Sequence, residues 1–313
     1  YKTYYFACDF ILQLGDRPYQ KVKKYEYVYP VSLDSVTLSE SSIKRNVKSV
    51  LDLGCGSGIL SIMASFHSQR VTGVDINPRA VNFASFNAIL NDVHNAIFLL
   101  GDLYNPVKEQ KFDLILSNPP YEIFTEKSFL FQDGGKLGFR VLKRIIEGIP
   151  SYLTDGGICQ IITKVADFSN TKRAQLIRSW IPHNNRHVFF VELYKMNIYQ
   201  AAYSLSTECI PYEEKKASYK KYSRKIEKIL QFFASNHLVA VSLGIMTINS
   251  YSHFVYKEHI FDSRNVYATE LSAKLHDLIC CHFRYFPKYG NYNRIKRVCL
   301  FLYCFYGKLK DAI

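Results

Sequence analysis

One short stretch constrains this chain more than any other: Asp52-Leu53-Gly54-Cys55-Gly56-Ser57-Gly58. The run Ser49 to Leu53 that leads into it reads as a buried strand, and Ile59 to His67 after it has helical spacing. Glycines at a strand-to-helix turn let backbone N–H groups and the helix N-terminus approach a ligand closely. The spacing also excludes two common alternatives. A dinucleotide fingerprint needs a glycine at the sixth position, which here is Ile59, and no GxxxxGKS/T phosphate loop occurs.

The strand, turn and helix pattern repeats. Arg70 to Asp75, Ala96 to Leu100, Phe112 to Ser117 and Gly157 to Thr163 are further short apolar strands. Between them lie helices from Pro78 to about Asn91 and from Leu142 to Leu153. Pro78 suits a first helical position, where its missing N–H costs nothing. Near-continuous apolar strands alternating with helices predict an α/β fold with a mostly parallel sheet covered on both faces. Past Thr163 the expected elements are a helix over Thr171 to Trp180, a strand over Val188 to Leu193, a helix over Ser218 to Ser235 and a strand over Leu238 to Ile248. Ahead of the core, Tyr4 to Leu14 and Tyr25 to Tyr29 alternate like strands. The chain thus divides into an N-terminal β element and lead-in over 1–48, an α/β domain over 49–250, and a basic aromatic tail over 251–313 without a clear period.

With 48% apolar and 21% charged residues in 313, a packed core is expected. No apolar run approaches the length of about 18 residues that a membrane helix needs, and no signal-peptide pattern is present. The first residue is Tyr1 rather than Met, which reads as a trimmed N-terminus. Eight cysteines form no CxxC pair, so a reducing, cytoplasmic compartment is expected rather than a disulfide scaffold. His276, Cys280, Cys281, His282, Cys299 and Cys304 fit no common zinc spacing, so no metal site is expected. The net charge is +13, with about two thirds of the excess after Pro211. Basic residues mixed with aromatics admit nucleic-acid contact through this C-terminal region, and also suit a solvated face.

Two acidic residues close strands. A carboxylate at Asp75 can accept from both hydroxyls of a ribose, and Asp102 can receive an adenine amino group. With the glycine turn, these describe an adenosine-containing ligand in a crevice at the strand ends. Asn118-Pro119-Pro120-Tyr121 then follows the strand that ends at Ser117. An amide or ring-amino nitrogen spreads its lone pair into a π-system and is a poor nucleophile. The Asn118 side-chain oxygen and the Pro119 carbonyl can accept its two N–H bonds and localise density on nitrogen. Pro119 and Pro120 fix φ and remove donors, which holds the carbonyl in place. The Tyr121 ring can stack on a planar acceptor.

These motifs resemble those of the class I S-adenosylmethionine (SAM) methyltransferases, whose first motif, E/D-x-G-x-G-x-G, is matched in full. The resemblance implies a Rossmann-like fold with a seven-stranded, mostly parallel sheet. It implies that Asp52, Gly54, Cys55, Gly56 and Gly58 hold the methionine end of SAM. Asp75 would bind the ribose with Ile76 against the adenine, and Asp102 and Leu103 would sit at the adenine edge. The Asn118 tetrapeptide resembles the motif of N-methyltransferases acting on glutamine side chains, on adenine N6 and on some small molecules. Tyr29 to Ser35 is similar to the Y-x-P-x-x-D-S lead-in of the small-domain group related to release-factor glutamine enzymes, although Pro30 directly follows Tyr29 here. Phe131 to Gly138 is similar to the glycine-rich loop after the tetrapeptide. The resemblance spans about Tyr4 to Ser250. It implies methyl transfer from SAM to a planar nitrogen, with a protein glutamine amide favoured. A nucleic-acid adenine or a small molecule is the alternative acceptor, and a non-catalytic SAM-binding module a further one. Asp133, Lys136 and Arg140 read as a solvated loop, and His67 and His94 as surface residues rather than bases.

Overall fold

The computed structural model describes residues 4–9, 26–123, 130–181, 186–207, 219–250 and 255–260. These residues fall into two compact units, one holding 4–8 and 31–118, the other 9, 26–30 and the described residues of 119–260.

In the first unit, helix α1 (Leu33–Ser41) precedes β1 (Val47–Leu53), α2 (Ile59–Ser65), β2 (Ser68–Asp75), α3 (Pro78–Leu90), β3 (Ala96–Leu100) and β4 (Phe112–Ser117). The strands lie in the order β3-β2-β1-β4, every pair parallel. Each β1 residue except Lys48 is buried, as expected of a central strand covered on both faces. Asn77 caps α3 by accepting from the Arg79 N–H at 3.0 Å, with Pro78 at the first helical position. The core gathers Leu51, Leu53, Ile62, Leu114, Ile115 and Leu116, all almost fully buried.

Two expectations for the lead-in are corrected. Tyr4 to Leu14 and Tyr25 to Tyr29 were expected to be strands, yet residues 4–9 and 26–29 carry none; 10–14 and 25 lie outside the described residues. The alternation has another cause. Phe6 packs against Ile62, Ala88 and Val93, while Tyr5 is exposed. The peptide groups of Tyr5 and Ala7 bond to asparagine side chains of α3 instead of to a strand. Next, α1 forms where only a lead-in was expected. Ser32 caps it, accepting from the Ser35 N–H at 3.3 Å.

The second unit holds α4 (Arg140–Tyr152), β5 (Leu153–Phe168), α5 (Arg173–Trp180), β6 (Arg186–Asn197), α6 (Ile198–Thr207), α7 (Tyr219–Ser235), β7 (Leu238–Ser250) and β8 (Val255–Ile260). Its strands run in the order β5-β7-β6-β8. Here β7 is antiparallel to both β5 and β6, and β8 is parallel to β6. Leu142, Ile145, Ile146 and Ile149 form the buried stripe of α4 at helical spacing. Ile229 and Phe233 of α7 pack with Ala201, Ala202, Leu238 and Val241, while Arg224 and Lys228 are exposed. Seven strands stand where they were expected, in a Rossmann-like α/β arrangement, and β8 is an eighth. The candidate zinc residues, and all of the basic tail but β8, lie outside the described residues.

Candidate active site

Because β1, β2, β3 and β4 are parallel, their C-terminal ends share one edge. The register sets Leu53 beside Val74 and Ser117, and Asp75 beside Leu100. Asp52, Asp75, Asp102 and Asn118 are thereby all brought to that edge, on four different strands or the residues just after them.

The glycine turn has φ of +72° at Gly54, +54° at Gly56 and +86° at Gly58, a region that L side chains rarely enter. The N–H groups of Gly54 and Cys55 donate to the Val74 carbonyl at 2.8 and 3.1 Å, tying the turn to β2. A Cβ at Gly54 or Gly56 would meet nothing within 4 Å, so there is open space above the turn. At Gly58 a Cβ would lie 3.0 Å from Ala84 Cβ, so this glycine also lets α3 come close. Cys55 is buried, and burial with two neighbouring carboxylates holds its thiol protonated.

Asp52 is fully buried. One oxygen, Oδ2, accepts from the Ser61 N–H at 3.0 Å and from the Ser61 hydroxyl at 2.6 Å. The other, Oδ1, has no partner among the described residues, and burial raises the carboxyl to about 7. An unpartnered buried carboxylate oxygen suits a cation or a donor from a ligand, which is what the methionine ammonium of SAM supplies. Asp75 accepts from Gly56 N–H at 2.8 Å and Asn77 N–H at 2.9 Å, and burial raises its carboxyl too. Ile76 beside it is 53% exposed, an apolar platform at the rim. Asp102 and Leu103 follow β3. The Asp102 carbonyl accepts from Asn105 N–H, and Leu103 has φ +51°.

Asn118 follows β4, whose end is fixed by the Ser117 hydroxyl donating to the Leu53 carbonyl at 2.7 Å. The Asn118 amide nitrogen donates to Ser35 Oγ at 3.0 Å, an assignment that leaves the amide oxygen for a ligand. Sequence reasoning quoted Ser35 within the lead-in but gave it no role. It also missed Ser61, whose signal was a hydroxyl one turn into the helix after the glycines.

In the second unit Pro119 and Tyr121 are buried and Pro120 half-buried. The Lys164 ammonium lies 5.3 Å from the Tyr121 ring centroid and pairs with Glu122. Gly134 and Gly138 close the following loop against Tyr121: a Cβ at Gly134 would lie 2.9 Å from Tyr121 Cα. Asp133 pairs with Arg140 at 2.7 Å at the surface.

Comparison with known proteins bears on the family of the chain. The methyltransferase small domain family matches residues 35–172. A Methanocaldococcus jannaschii chain, provisionally named a protein N5-glutamine methyltransferase, is 41% identical over 150 residues, covering 45% of this chain and 75% of that one. A release factor glutamine methyltransferase from Thermodesulfovibrio yellowstonii is 30% identical over 141 residues, covering 41% of this chain and 50% of that one. Ribosomal RNA small subunit methyltransferase C from Buchnera aphidicola is 35% identical over 118 residues, covering 37% and 33%. The chain thus spans three quarters of the first relative, but only half and a third of the other two. It belongs to the methyltransferase small domain family and is a SAM-dependent methyltransferase.

Proposed function

We propose that this enzyme transfers the methyl group of SAM to the side-chain amide nitrogen of a protein glutamine. The observation that carries the reading is the Asn118 amide. Ser35 takes its nitrogen, which leaves its oxygen as an acceptor at the same edge as Asp52 and Asp75. The names of the M. jannaschii and T. yellowstonii relatives support a glutamine acceptor.

In this reading Asp52 and the turn residues Gly54, Cys55, Gly56 and Gly58 hold the methionine end. Asp75 takes the ribose, Ile76 lies along the adenine, and Asp102 and Leu103 sit at the adenine edge. When bound, SAM supplies a methyl carbon on a sulfonium, a neutral thioether being the leaving group. Asn118 Oδ1 and the Pro119 carbonyl would accept the two N–H bonds of the acceptor nitrogen and so keep its electron density on that atom, facing the methyl carbon. The nitrogen then loses one proton to solvent. Pro120 restricts the backbone after that carbonyl, and Tyr121 bounds the acceptor pocket. The Lys164–Glu122 pair holds the Tyr121 ring. A cytoplasmic setting goes with this reading.

Asn118→Ala should lower kcat about 10²–10³-fold, the usual size for losing one preorganised dipole, with SAM affinity unchanged. Incubation of the full chain with methyl-labelled SAM and a mixed protein extract should give peptides that carry 14 extra mass units on glutamine. Near wild-type turnover in the Asn118 variant, or label that enters RNA and no peptide, overturns it. A nucleic-acid acceptor is the second reading, favoured by the exposed Arg224 and Lys228 on α7 and by the match to an RNA methyltransferase. It requires RNA binding that weakens steeply with salt.

A further inference from the structure

We propose that Asn87, on α3, is a positioning residue for the cofactor: it fixes the glycine turn by clamping the Ser57 carbonyl. Asn87 is fully buried. Its amide nitrogen donates to the Ser57 carbonyl at 2.8 Å and to the Ala7 carbonyl at 2.9 Å, and its amide oxygen accepts from the Ala7 N–H at 2.7 Å. Ser57 stands between Gly56 and Gly58, at the centre of the turn.

A turn with three left-handed glycines has little of its own to hold it, since glycine enters both hands of φ at similar cost. The hydrogen bonds from Gly54, Cys55 and Gly58 hold the turn within itself and against β2. Asn87 grips it from the α3 side. The segment around Ala7 gives the amide its orientation. With the oxygen occupied by the Ala7 N–H, the nitrogen is directed at two carbonyls, and the end-for-end flip would set oxygen against oxygen. Preorganisation of this kind lowers the ordering cost that a ligand otherwise meets on binding.

Asn91, one turn further on and at the C-cap of α3, supplies an internal control. It grips Tyr5 just as Asn87 grips Ala7, accepting from the Tyr5 N–H at 2.9 Å and donating to the Tyr5 carbonyl at 2.7 Å. Its amide nitrogen also donates to the Asn87 carbonyl at 2.7 Å. Loss of Asn91 therefore tests docking of residues 4–8 together with the end of α3, whereas loss of Asn87 tests docking and the clamp together.

The test is calorimetric titration of the full chain with SAM and with its demethylated product, beside thermal melts of the same variants. Asn87→Ala should weaken both ligands about tenfold, the size expected when a buried carbonyl loses its donor. Turnover at saturating SAM should stay near wild type, so that the loss appears in KM and not in kcat. Asn91→Ala should lower the melting temperature by a comparable amount and leave both dissociation constants within about twofold. Should Asn87→Ala fail to fold, Asn87→Ser takes its place, because its hydroxyl can return to the helix carbonyl one turn back but is too short to hold Ser57. Equal affinities in the Asn87 and Asn91 variants, whether both weakened or both unchanged, overturn the clamp. The readout uses no acceptor, so it is independent of which nitrogen is methylated.

Discussion

The two compact units treat buried charge in opposite ways. In the first, Asp52 and Asp75 are served by N–H groups and a hydroxyl, and neither is paired with a cation among the described residues. In the second, Arg173 meets Asp167 at 2.8 Å, Glu192 at 2.9 Å and Glu258 at 3.3 Å, and Lys195 adds a contact to Asp167 at 2.9 Å. The Arg173 guanidinium also lies 4.9 Å from the Phe190 ring centroid, and its carboxylate neighbours hold it charged. Charge that is balanced from within is part of the scaffold. Charge left in want of a positive partner is, in the proposed reading, where a ligand completes the site.

The contrast can be broken at either end. Arg173→Met should cost about 3–5 kcal/mol in urea denaturation, since Asp167 and Glu192 lose their common partner in a buried setting. SAM affinity of the folded fraction should not change. A loss near that of an exposed ion pair, under about 1 kcal/mol, would mean that the cluster is not the scaffold described. Asp52→Asn should act with the opposite sign. The folded state holds the Asp52 proton more tightly than the unfolded state does, with a value of about 7 against 3.8. Stability of the ligand-free protein therefore falls as pH rises between those values and is flat above them. The amide removes that fall, so the variant should be the more stable protein at pH 8. It should also bind SAM more weakly by about 1.5–3 kcal/mol, the worth of a charge-assisted hydrogen bond. In the wild type, SAM affinity should rise between pH 6 and 7.5, with proton release seen by calorimetry in buffers of different ionisation enthalpy. A flat profile would remove the ammonium from Asp52. The smallest effect expected is that of Gly58→Ala, about 1–2 kcal/mol from the left-handed conformation, with crowding of Ala84 in addition.

The first unit was the easier to read because its signals are local. Parallel strands buried on both faces are continuous apolar runs, and Pro78 and the glycines mark element ends. What escaped was polar. In α1 the residues Ser35, Thr37, Ser39, Glu40 and Ser41 are buried, which no amphipathic pattern announces. Ser39 and Ser41 return their hydroxyls to the carbonyls of Val36 and Thr37, and so need no outside partner. The site residues of the glycine turn and the strand ends lie on one edge, as their spacing implied. The residues that hold them, Ser35, Ser61 and Asn87, are ordinary polar residues whose partners lie 83, 9 and 30 positions away. In the second unit β5 and β6 run past their apolar stretches to Phe168 and Asn197. The added ends carry Asp167 and Lys195, which lie beyond the expected strands and find their reason in the cluster around Arg173.

The alternating hand of the glycine turn has a consequence for how freely its letters can be rewritten. Only residues with no side chain fit Gly54, Gly56 and Gly58 without strain, whereas Cys55 and Ser57 are limited by space alone. A saturation library across these five codons should read as a comb. Three teeth would admit few replacements, and the two gaps between them would admit small, uncharged side chains.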